Sequence, residues 1–175
     1  MPTGLLILRV GVGLLMFGHG TQKLFGWFGG SGPRGYRRML GSLGFRPVGP
    51  WAVLHGLAEA GGGVLLVLGF LTPLASAAII GVMLVAGLAV HRPNGLWNTN
   101  RGYELPLAFG IVAAAVAFTG GGAFSVDAVL EWPLRGWAWG LSAVGVGLLA
   151  GLVANYARRP AGWTAEASGP GRRAA

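Results

Sequence analysis

The chain has no cysteine and little charge: its 175 residues include 13 Lys and Arg, 5 Asp and Glu, and 3 His. Without a thiol it cannot form disulfides, run CxxC redox chemistry, bind a cysteine-ligated iron–sulfur cluster or zinc ion, or use a thiolate nucleophile. Its compartment does not follow from that absence. Charged residues make up 10% of the chain, against about 25% in an ordinary soluble domain. With 53% hydrophobic residues and a mean hydropathy of +0.62, too little polar surface remains to keep the chain in water. Also missing are a phosphate loop, a GxGxxG turn and a nucleophile elbow. The length is used up by four to six helices of about 20 residues each, which leaves no room for a separate soluble catalytic domain. Any function must be built within or between membrane helices.

The net charge of +8 and pI near 11.5 raise the question of nucleic acid. That reading requires basic residues gathered on one soluble face. Here they lie between apolar runs, as loop charges of a membrane protein do, so no nucleic-acid partner is expected. The N-terminal run has no positive region before it and continues past Phe17 without a small-residue cleavage site. A removable signal peptide is therefore not expected.

Five apolar segments, none with period-two alternation, predict an all-α transmembrane bundle with spans at about 4–28, 50–71, 73–91, 103–119 and 133–156. Pro50 suits a first helical position. Thr72 and Pro73 read as an N-cap and first-turn proline, which makes spans two and three an antiparallel hairpin. Gly136 with Gly140, Gly147 with Gly151, and Ala58 with Gly62 form small-xxx-small pairs suited to close helix contact in lipid. In the first long loop, Tyr36, Met39, Leu40 and Leu43 have helical spacing with arginines elsewhere. They predict a short helix in the headgroup layer, with a loop packed on the bundle as the competing reading. A second short helix is expected between Ser125 and Glu131, with Trp132, Trp137 and Trp139 at headgroup depth. The tail over 158–175 is expected to be disordered and cytoplasmic.

Loop charges predict orientation. Arg34, Arg37, Arg38, Arg46, Arg92, Arg101, Arg158 and Arg159 fall on one side of a five-span chain, and only Arg135 falls on the other, beside Asp127 and Glu131. The positive-inside rule then places the N-terminus outside and the C-terminus in the cytoplasm.

Alternate threading brings His19, Lys23, His55, Glu59, His91 and Glu104 to that same side as a candidate polar pocket. His19 with Lys23 and His55 with Glu59 are i, i+4 pairs, each on one helix face. Glu59 is about nine residues into its span, deep enough that it should face inward toward Lys23, a histidine or water, or be protonated. At the other end, Arg9 and Asp127 are expected to form a structural ion pair. The histidines admit three readings: buried groups satisfied by carbonyls or carboxylates, a proton or quinone-type site, and a metal site. Metal or haem ligation is disfavoured, because no HxxxH or ExxH pair occurs and the histidines sit on three different spans.

Three stretches carry a resemblance. They are LRVGVGLLMFGHGTQKLFG over 8–26, EAGGGVLLVLG over 59–69 followed by Thr72 and Pro73, and GGAFSVD over 121–127. Across about residues 5–130 the chain resembles the DoxX family of small bacterial membrane proteins and the related DoxD-like subunits of thiosulfate:quinone oxidoreductase. The resemblance implies a four-helix transmembrane core in the bacterial plasma membrane, with Arg9, His19, Gly20, Lys23, Glu59 and Asp127 at recurrent polar and glycine positions. The fifth, C-terminal span departs from that pattern. It also implies association with quinol-oxidising, thiosulfate-oxidising or redox-stress complexes, without assigning chemistry to the chain itself.

The leading expectation is a small subunit of a quinone-linked redox complex, with membrane lipids and an oxidoreductase subunit as partners and a homo-oligomer left open. Rival readings are a non-enzymatic scaffold or lipid-binding bundle, and an ion or proton pathway.

Overall fold

The computed structural model describes residues 2–159; beyond Arg159, the expected disordered tail lies outside the described residues. Seven α-helices follow in order: α1 (Pro2–Leu24), α2 (Gly32–Ser42), α3 (Val48–Leu68), α4 (Thr72–Val85), α5 (Glu104–Thr119), α6 (Val126–Val129) and α7 (Trp137–Tyr156). No strand occurs among the described residues. The fold is an all-α helical bundle, as expected.

The helix ends follow from local chemistry. α1 stops at Leu24, four residues short of the expected end, because Gly26 turns into the left-handed region at φ 78. α3 ends at Gly69, also left-handed, whose N–H and that of Phe70 bond back to the carbonyls of Leu66 and Leu65. This satisfies the last turn and lets α4 start three residues later. Thr72 is not the N-cap of α4, contrary to the sequence reading. Leu71 occupies that position at φ 48, and the cap comes from Asp127 far along the chain. After Val85, α4 continues as a π-helical stretch (Ala86–His91) and a 3-10 turn (Arg92–Asn94).

Four helices are long and apolar enough to cross a bilayer: Pro2–Leu24, Val48–Leu68, Thr72–Asn94 and Trp137–Tyr156. α5 has 16 residues, about 24 Å at 1.5 Å per residue, against a hydrocarbon core of about 30 Å. The segment with the least length to spare is thus the fourth expected span, not the C-terminal one. α5 still runs between the two ends of the bundle. Pro106, near its start, faces Gly87, and Phe118, near its end, accepts the N–H of Gly136 ahead of α7.

α4 lies at the centre, packed against α3, α5 and α7, while α1 packs along α3. Met16, Leu66, Ile79 and Val116 are fully buried in the core. The α1–α3 contact is backbone-close. A Cβ on Gly13 would sit 2.7 Å from the Gly63 carbonyl, and one on Gly20 would strike the backbone of Ala60. The Gly147 and Gly151 pair performs the same task on α4, with added Cβ atoms 2.7 and 2.8 Å from the carbonyls of Ala77 and Gly81. Of the other expected pairs, Gly62 faces α4 more loosely, Gly140 lies under the Phe118 ring, and Gly136 precedes α7, where an added Cβ would meet nothing within 4 Å. Large apolar side chains such as Ile7, Leu14, Leu57, Leu141 and Leu149 face outward. That suits a surface whose solvent is lipid.

Both short helices form where expected. α2 buries Tyr36 and Leu40 on the bundle and exposes Arg34, Arg37 and Arg38. α6 is a single turn capped by the Ser125 hydroxyl, which accepts from the Ala128 N–H at 3.1 Å.

Candidate functional site

One end of the bundle gathers the ends of α1, α4 and α7 with the starts of α3 and α5, roofed by α2. Between them lies a cavity of about 370 Å³. Its walls mix apolar side chains, including Met16, Val82 and Phe109, with the polar residues His19, Lys23, Tyr36, His55, Glu59 and His91. Five of the six residues expected to form a polar pocket therefore share a cavity.

The polar wall is built from α1, α2 and α3. Lys23, in the last turn of α1, forms an ion pair with Glu59 on α3, a contact permitted by the close approach at Gly20 and Ala60. Glu59 is 2% exposed, so its charge depends on this partner. The Lys23 ammonium also lies 5.0 Å from the Tyr36 ring centroid, within cation–π range. Tyr36, on α2, meets Nδ1 of His55 through its hydroxyl at 3.1 Å. Burial, and then the charge of Glu59, push the Tyr36 phenol above its ordinary pKa, so it stays protonated. Phe45 and Trp51 box the His55 ring at centroid distances of 5.3 and 5.7 Å.

Two polar atoms of this wall remain buried without a hydrogen-bond partner: Nε2 of His55 and Oε2 of Glu59. Such atoms cost about 1–3 kcal/mol each when left unmet.

His19 is exposed, although it lines the same cavity. His91 also lines the cavity, and its Nδ1 donates to the Arg101 carbonyl at 2.7 Å. Glu104 is not brought to the cavity wall. Its carboxylate accepts the Asn98 N–H at 2.8 Å and ties down the loop ahead of α5. Among the described residues, no three His, Cys, Asp or Glu side chains converge closely enough to hold a metal ion.

At the opposite end, Arg9 and Asp127 do not form the expected ion pair. Both are buried, at 1% and 3% exposure, and each bonds mainly to backbone groups, with the Arg9 Nε left without a partner. The Arg9 guanidinium donates to the carbonyls of Leu66, Val67 and Phe124. Asp127 accepts the N–H groups of Leu71 and Thr72 at 2.8 and 2.9 Å and the Thr72 hydroxyl at 2.6 Å. A charged side chain beside free backbone groups at helix ends gains several bonds from that chemistry, where a direct pair would leave those groups unmet.

Tyr36 is the site residue that sequence reasoning missed. Its place in the apolar stripe of α2 hid it, yet a buried tyrosine needs a partner for its hydroxyl, and that requirement is the available signal.

A family model described as DoxX matches residues 4–92, from α1 through the π-helical end of α4. The chain belongs to the DoxX family. The matched half carries Arg9, His19, Lys23, His55, Glu59 and His91; Glu104 and Asp127 lie beyond it. No curated protein and no solved structure matches the chain. As a DoxX protein it is a multi-pass membrane protein whose outward apolar faces meet lipid.

Proposed function

We propose that this DoxX protein is a small subunit of a quinone-linked redox complex in the bacterial plasma membrane, and that its cavity holds a quinone-like headgroup. The observation that carries this reading is the pair of unpartnered atoms, His55 Nε2 and Glu59 Oε2, in the wall of one mixed polar and apolar cavity. A ligand with a carbonyl or hydroxyl on an apolar ring matches those walls. If the Tyr36 hydroxyl donates to Nδ1, the His55 Nε2–H is left to donate to a ligand carbonyl, and Glu59 accepts from a ligand hydroxyl. Lys23 holds the Glu59 carboxylate in place through the ion pair. A cysteine-free chain exchanges no thiols, so oxidation of any further substrate belongs to a partner subunit.

The arginine-rich end is read as cytoplasmic. Arg34, Arg37, Arg38 and Arg46 lie on α2 and just beyond it, with Arg92 and Arg101 between α4 and α5. Arg158 and Arg159 join them, the latter through its N–H bond to the Gly44 carbonyl. With α5 crossing the bilayer, the N-terminus is outside.

The rival reading is a lipid-binding scaffold, favoured by the fact that Lys23 with Glu59 and Tyr36 with His55 already satisfy one another in part. Decylubiquinone titration separates the two. The quinone reading expects saturable binding weakened at least tenfold by Glu59→Gln, with electron transfer in the native membrane falling in step. Binding that is absent, or unchanged by Glu59→Gln, favours the scaffold.

A further inference from the structure

A second cavity, of about 490 Å³, lies on the outer side of the seam between α4 and α5, with α7 closing one flank. Its walls are apolar, including Leu84, Leu107, Ile111 and Leu148. Its two polar side chains are Arg92 and Tyr103, toward the arginine-rich end. Met83 and Pro106 belong to the walls of both cavities. The site described above is therefore separated from a lipid-facing groove by side chains common to both.

The seam is built to give way. α4 is π-helical at Ala86–His91, directly after Met83 and Val85, and single π turns within helices recur at functional sites. Two glycines leave the seam thinly filled. A Cβ on Gly87 would come no closer than 3.9 Å to Pro106 and Tyr103, and one on Gly110 would meet nothing within 4 Å. Met83 has an unbranched, flexible side chain that repacks more readily than a branched one. On the water side, by contrast, Tyr36 and Leu40 of α2 and Gly102 of the following loop form part of the cavity wall, and all three are buried.

We propose that the α4–α5 seam is a lateral entrance from the bilayer. The ligand is an amphiphile whose polar head lies beside His55 and Glu59 and whose apolar tail occupies the outer groove. This rests on the quinone-like headgroup reading only for the identity of the head. The added content is the ligand class, a long-tailed molecule resident in the membrane, and its route.

The test uses proteoliposomes and a dodecanol carrying a diazirine next to its hydroxyl, with adducts located by peptide mass spectrometry. Met16 is fully buried and lines the inner cavity but not the outer groove. Light should place an adduct on Met16 in the wild type. That adduct should fall at least fivefold in Gly110→Trp, which fills the groove, and in Gly87→Leu, which thickens the seam; only variants with the wild-type melting curve are scored. No Met16 adduct in the wild type, or one undiminished in the folded variants, overturns the entrance. A parallel titration compares decylubiquinone with tail-less 2,3-dimethoxy-5-methylbenzoquinone. Gly110→Trp should weaken the first at least tenfold and leave the second unchanged. If neither quinone binds while Met16 is labelled as expected, the headgroup reading fails and the entrance stands. If both bind equally well in Gly110→Trp and Met16 is never labelled, the entrance fails and the headgroup reading stands.

Discussion

Lys23 and Glu59, 36 positions apart on α1 and α3, form an ion pair that engages only one oxygen of the carboxylate. The pair sets the electrostatics of the cavity, because Glu59 is almost wholly buried while the Lys23 side chain stays 23% exposed. Removing Lys23 should therefore strand a buried charge. Lys23→Met is expected to destabilise the protein by about 2 kcal/mol, at or below the low end for fully buried pairs because of that exposure. Lys23→Met with Glu59→Gln should recover most of the loss. Thermal unfolding in detergent checks this; a Lys23→Met variant as stable as the wild type would show that the pair does not hold α1 to α3.

Arg9 and Asp127 are expected to act mainly through different backbone groups and not through a direct bond. Replacing Asp127 with Asn weakens three bonds at the start of α4, and a loss of about 1–3 kcal/mol is expected. Reversing both charges together should not rescue either single reversal, since a carboxylate at position 9 cannot donate to the three carbonyls that Arg9 serves. A double-mutant cycle measures the coupling, and recovery of native stability in the double reversal would restore the direct-pair description.

The contact between α1 and α3 depends on missing side chains. Gly13→Val or Gly20→Val should prevent the helices from meeting and abolish a cooperative melt. Gly11→Val, two residues away and facing open space, should be tolerated. Equal effects at all three positions would mean that helix propensity, and not close approach, governs this face.

The Tyr36 phenol is raised by burial and by Glu59, so its ionisation should begin only above the ordinary tyrosine range near pH 10. For a group raised on folding, the stability it contributes is intact below the unfolded pKa and is lost as pH climbs through the folded one. A difference titration of tyrosinate absorbance between the wild type and Tyr36→Phe should show no Tyr36 signal until strongly alkaline pH. A signal within the ordinary range would mean that the hydroxyl is open to water.

The absence of cysteine permits a clean topology experiment. Arg38→Cys and Glu131→Cys place single thiols at opposite ends of the bundle. An impermeant maleimide added to intact cells should label Glu131→Cys and spare Arg38→Cys. The opposite pattern inverts the orientation, and labelling of both or neither would mean that α5 does not cross.

Much of this arrangement was legible in the sequence. Apolar run length set the helices, alternation of spans placed His19, Lys23, His55, Glu59 and His91 at one end, and the arginine spacing of α2 showed its outward face. What was not legible depended on backbone groups. The sequence shows Arg9 and Asp127 as opposite charges of equal depth, but not the carbonyls of Leu66 and Val67 or the N–H groups of Leu71 and Thr72 that bind them instead. The position of Glu104 depends on backbone in the same way, since its carboxylate is taken up by the Asn98 N–H. The α1 side of the α1–α3 contact was less legible, because Gly13 and Gly20 are seven residues apart, not the four of the small-xxx-small pattern.

The most direct test of the account is the native mass spectrum and ultraviolet–visible spectrum of the protein purified from its own membrane. The account predicts one retained amphiphile per chain with quinone absorbance, lost in Glu59→Gln and in His55→Leu. A wild-type protein that carries no such molecule, or variants that keep it undiminished, would contradict the assignment of His55 and Glu59 as its binding groups.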